Sequence, residues 1–114
     1  MGKLLQIRVS AWTFSEDEVQ KTWPGLWDLV WGEGGDAIPK KGVLELAQAV
    51  FDAVRAGLIS SEKAELLREK AEEAEDLRFK IEAALAARDP KGADKLTYDL
   101  EDCLDSLQDI SKKF

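Results

Sequence analysis

The residues with the widest scope for chemistry are carboxylates. Glu62, Glu65, Glu69, Glu72, Glu73, Glu75 and Asp76 fall in one stretch, and Asp99, Glu101, Asp102, Asp105 and Asp109 in another. Were both stretches helical and adjacent, inward-facing acids could hold a pair of metal ions. Helical carboxylate sites of that kind draw on histidine through Glu-x-x-His motifs, and this chain has no histidine. The acids also avoid the leucine-bearing positions, and several have a base within a turn, Glu65 with Arg68 and Glu82 with Arg78. That is the pattern of a solvated face, so no metal is expected. Residues 89–94 lack the central glycine spacing and closing glutamate that a calcium loop requires.

The missing histidine also removes the commonest general base and the Ser-His and Cys-His nucleophile pairs. Cys103 is the single cysteine, which excludes an internal disulfide and any multi-cysteine zinc site. It falls on an apolar seam, where it packs as a small hydrophobe. Gly32, Gly34 and Gly35 do not stand in a phosphate-binding order, since neither GxxxxGK[ST] nor GxGxxG is present. No cofactor and no enzymatic activity are expected.

Charge narrows the partners. The chain carries 16 Lys and Arg against 23 Asp and Glu, a net charge of −7. Phosphate backbones and anionic membranes need clustered cations, so neither nucleic acid nor membrane is an expected partner. A basic protein is compatible, and Asp99, Asp102, Asp105 and Asp109 form its candidate face. The second candidate patch is aromatic: Trp12, Trp23, Trp27 and Trp31 are all the tryptophans of the chain. The last three stand at i, i+4 and i+8, one face of a helix. They are either core, covering the end of a bundle, or an aromatic anchor for a partner, since Trp is enriched at binding hot spots.

These side chains must be positioned by a mainly α scaffold. Residues 4–11 alternate, with Leu5, Ile7, Val9 and Ala11 on one side, as a half-buried strand does. No second strand is evident, so the expected partner is the same strand of a second copy, giving a homodimer through Leu5, Ile7 and Val9. An extended arm is the alternative. Ser15 and Glu18 open a Trp-rich helical segment over 15–31, with acids at the positive end of its dipole. Pro24 makes that segment either one kinked helix or, as is expected here, two short ones, with Thr22 the expected cap of the second. Residues 32–39 are a loop.

Residues 43–58 carry polar side chains at Glu45, Gln48, Asp52 and Arg55 alone, one narrow stripe, which marks a helix buried on most sides. With its lead-in it spans 40–58, and Gly57 suits a left-handed C-terminal cap over which Leu58 and Ile59 would close. A helical hairpin follows over 60–88 and 92–111, stopped between its arms by Asp89 and Pro90. Its short turn makes the arms antiparallel neighbours, with Ile81 expected opposite Leu100, Leu77 or Arg78 near Cys103, and Ala74 opposite Leu107.

The expected molecule is therefore a single domain over 1–114. It has a three-helix core of buried central helix plus hairpin, a Trp-rich helical segment and one short N-terminal strand. Residues 1–9 lack a signal peptide's continuous apolar run, and Gln6 stands where myristoylation of Gly2 would want Ser or Thr. A cytoplasmic location is expected. The expected function is a protein–protein interaction module, adaptor or regulatory. The alternative is small-ligand binding in a pocket lined by Trp23, Trp27 and Trp31.

Overall fold

The computed structural model describes residues 9–32 and 40–114. Among them are five helices and no strand: α1 (Glu16–Thr22), α2 (Pro24–Trp31), α3 (Val43–Arg55), α4 (Ser61–Ala86) and α5 (Pro90–Ser111). Most of the expected strand, including Leu5 and Ile7, lies outside the described residues, as does most of the 32–39 loop. Val9, Ser10 and Ala11 have no regular secondary structure. None of the described helices is long and apolar enough to cross a membrane.

Local chemistry accounts for several helix ends. Ser15 caps α1, its Oγ accepting the Glu18 N–H at 3.4 Å. Ser60 caps α4 by the same bond to the Lys63 N–H. Pro24 splits the Trp-rich segment as expected, sitting in the first turn of α2, where its missing N–H costs nothing. The N-cap of α2 is Trp23, however, not Thr22, and it offers no capping oxygen. Gly57, at φ +70°, ends α3, and the Leu58 N–H bonds back to the Ala53 carbonyl at 3.2 Å. Of the two residues expected to close over this cap, Ile59 packs on the core and Leu58 stays exposed.

The hairpin turn differs from expectation. Asp89 and Pro90 do not merely stop α4. Asp89 caps α5 through the Gly92 N–H at 3.0 Å, and Pro90 is its first helical residue. Arg88 takes the left-handed conformation, φ 58°, and lets the Asp89 N–H reach the Ala84 carbonyl at 2.8 Å. With α5 starting earlier, the register slides. Cys103 donates its S–H to the Lys70 carbonyl at 3.2 Å, about two turns along α4 from the expected Leu77–Arg78 level.

The centre of the bundle also shifts. α4 packs against both α3 and α5, while α2 touches both α3 and α5. The central helix is thus α4, and α3 buries one face: Leu46, Ala47, Val50, Ala53 and Val54. Ala64, Ala71 and Ala74 of α4 are fully or nearly covered, small residues that let the larger Leu100, Leu104 and Leu107 of α5 come close.

The N-terminal helices are tied to this bundle by a capping bond from far along the chain. The Leu26 N–H, in the first turn of α2, donates to Gln108 Oε1 of α5 at 3.1 Å in a buried setting. Gly25 makes the approach possible, since a Cβ there would collide with Ser111 Oγ and meet Gln108 Oε1 at 3.1 Å. Leu26 itself is fully buried, which contributes about 2 kcal/mol. In an ordinary helix Gly→Ala gains about 1 kcal/mol. Here Gly25→Ala is expected to lower the melting temperature instead, and Gln108→Leu to cost about 1–3 kcal/mol in denaturant titration by orphaning a buried N–H.

Candidate functional site

Residues 11–15, just before α1, form no helix, yet side-chain bonds hold them. Thr13 Oγ1 accepts the Val43 N–H at 2.8 Å, capping α3, whose own N-cap Gly42 has no side chain to offer. A Cβ on Gly42 would overlap Thr13 Oγ1, so here too a glycine permits a borrowed cap. Ser15, two residues on, is held as the cap of α1. Between and beside these anchors, Trp12 is 84% exposed and Phe14 100% exposed. Phe14 precedes an N-cap, where an apolar residue commonly staples onto the helix four positions past it. That partner, Val19, is buried in the core without it.

The two exposed rings line a cleft of about 690 Å³ between the 11–15 segment, α1, the start of α3, and α5. Its apolar side chains include Val19, Trp23, Ile81 and Leu100, all buried core residues. Its charged lining among the described residues is mostly acidic, with Glu16, Glu18, Glu45, Glu101 and Asp105 against Lys40. Asp105 has a structural role as well, accepting the Trp23 indole N–H at 2.9 Å. Burial holds the Glu101 carboxyl above its ordinary value, and the like charges of Asp105, Asp102 and Asp94 push it further the same way.

The four tryptophans have four different surroundings. Trp12 is at the cleft mouth, and Trp23 forms part of its wall. Trp31 is buried at 4% exposure and stands nearly perpendicular to the half-buried Trp27 ring, centroids 5.0 Å apart. The Lys41 ammonium lies over the Trp27 ring, 5.5 Å from its centroid. Trp27 and Trp31 do not line the cleft, so the structure brings only Trp12 and Trp23 together there. Of the acidic residues on α5, Asp105 lines the cleft, Asp99 and Asp102 are exposed outside it, and Asp109 pairs with Lys112 at 3.6 Å. Val9 is half-buried.

Several acids of α4 stand in ion pairs along that helix: Glu65 with Arg68 at 2.9 Å, Asp76 with Lys80 at 3.0 Å, and Arg78 with both Glu75 and Glu82. No cluster of three or more potential ligands among the described residues could hold a metal ion. Cys103 is buried, and burial followed by the nearby Glu73 charge pushes its thiol up to about 11. It is a neutral packing group near pH 7.

Phe14, Glu45 and Glu101 are site residues that the sequence patterns did not single out. Glu45 sits in the one polar stripe of α3, and Glu101 lies four residues before Asp105, one turn apart on a helix, so spacing alone could have paired Glu101 with the cleft. Nothing in the sequence places Phe14 in solvent. No family model matches the chain, and no curated protein and no solved structure matches it.

Glu101 gives a pH test. Its raised carboxyl disfavours the folded state when ionised, fully so above its folded pKa and not at all below the ordinary value of 4.5. Glu101→Gln is therefore expected to raise the melting temperature at neutral pH, with the gain fading as pH falls to about 4.

Proposed function

We propose that the protein is a non-enzymatic, cytoplasmic interaction module, and that it binds a protein partner at the cleft mouth formed by Trp12 and Phe14. The observation that carries this reading is the pair of large aromatic side chains standing almost wholly in solvent beside a concave surface. Exposing two such rings is unfavourable unless something covers them part of the time, and Trp in particular supplies contact area with little rotamer entropy to lose. The backbone beneath them is anchored by Thr13 and Ser15, so the rings are presented from a fixed base, which lowers the ordering cost of binding. The lack of histidine and the buried, neutral Cys103 thiol support a binding role over a catalytic one.

The test is a comparison of proteins retained from a cell extract by the wild-type chain and by Trp12→Ser/Phe14→Ser. Both residues are exposed, so the variant is expected to keep the wild-type melting temperature. A partner retained by the wild type and lost by the variant is the expected outcome. Identical retention by both would contradict the assignment of the cleft mouth as the binding surface.

A further inference from the structure

What sets the acids of the cleft apart is that they converge from α1, α3 and α5 on one concave surface with apolar walls. On α4, Glu65, Glu73, Glu75, Asp76 and Glu82 each have a Lys or Arg partner within 4 Å, whereas Glu62, Glu69 and Glu72 stand in no ion pair among the described residues. In the cleft, no lysine or arginine among the described residues pairs with Glu18, Glu45 or Glu101. Lys40 is the one cation of the lining among the described residues. The cleft therefore keeps a net negative field next to apolar walls, where low dielectric strengthens it.

Resting on the reading of this surface as a protein-binding site, we propose that its occupant is a basic amphipathic peptide segment. The apolar side chains of that segment lie against Trp12, Phe14 and the Val19 wall, and its lysines or arginines meet Glu18, Glu45 and Glu101. Charge complementarity selects the sign of the partner. The rings can contribute twice, as apolar contact and as faces for a cation. A small organic cation is less suited, because the fully exposed Phe14 ring could not cover it, while a peptide can span from the 11–15 segment to α5. The Glu101 carboxyl, raised first by burial and then by the charges of Asp105, Asp102 and Asp94, is consistent with this, since an incoming cation would favour its ionised form.

The experiment titrates the full chain into two short fluorescein-labelled peptides with one helical Leu pattern, one carrying Lys and the other Glu at the polar positions, read by anisotropy. The Lys peptide is expected to bind, the Glu peptide not, and raising salt from about 0.05 to 0.3 M should weaken binding as the Debye length shortens. Glu45→Gln/Glu101→Gln should weaken the Lys peptide about tenfold, with Trp12→Ser/Phe14→Ser abolishing it. Equal binding of both peptides, or no effect of the Gln pair, would overturn the inference. If partner retention still depends on Trp12 and Phe14 in that case, the interaction reading survives and only the charge selectivity fails. Binding of neither peptide, with retention indifferent to the two rings, would remove both. A dimer mass in light scattering that Trp12→Ser/Phe14→Ser halves, without peptide binding, would overturn it in favour of a second copy as the occupant.

Discussion

Two helices of this protein begin without a capping side chain of their own, and the rest of the arrangement depends on how that deficit is met. α2 starts at Trp23 and Pro24, α3 at Gly42, and neither start supplies an oxygen for the first free amides. Gln108 of α5 completes one and Thr13 of the N-terminal segment completes the other. A buried amide left without a partner costs about 1–3 kcal/mol, so each bond fixes a distant element in place. Gly25 and Gly42 make room for the donated groups. The first bond seats α1 and α2 on the bundle, and the second lays the 11–15 segment across the start of α3. The cleft is the space these two attachments enclose.

That dependence explains which parts could be read from the sequence. Ser15, Ser60, Pro24 and Gly57 act through rules that span a turn or less, and each does in the structure what its type and position imply. The helical hairpin was visible in the leucine spacing. The borrowed caps were not, because Gln108 and Thr13 are separated from their partners by 82 and 30 positions. Asp89 and Pro90 were ambiguous for a different reason. The pair can stop one helix or start the next, and only the left-handed Arg88 allows both within three residues. The hairpin register followed from that choice, and with it the level at which Cys103 meets α4.

The tryptophans show the same limit. At helical spacing Trp23, Trp27 and Trp31 resemble one ladder, but Trp23 is the joint between two helices and turns its indole toward Asp105. Trp12, outside any periodic stretch, is the one left in solvent. Acidic residues divide in a comparable way. Five of those on α4 pair with bases along that one helix, and the exposed pairs contribute little beyond solubility. Those of the cleft come from α1, α3 and α5, so their accumulation is a product of tertiary packing, whereas the upward shift of Glu101 combines burial with the charges of Asp105, Asp102 and Asp94 on its own helix.

Hydrogen exchange of the indole N–H groups, followed by NMR on the intact chain, tests this arrangement most directly. With α1 and α2 seated on α5, the Trp23 indole, bonded to Asp105, exchanges slowly, and the Trp12 indole exchanges as fast as in a free peptide. Rapid exchange at Trp23 would mean that the N-terminal helices are not held on the bundle. Protection at Trp12 equal to that at Trp23 would mean that the ring at the cleft mouth is already covered, and the exposed aromatic rim on which the binding proposal stands would not exist.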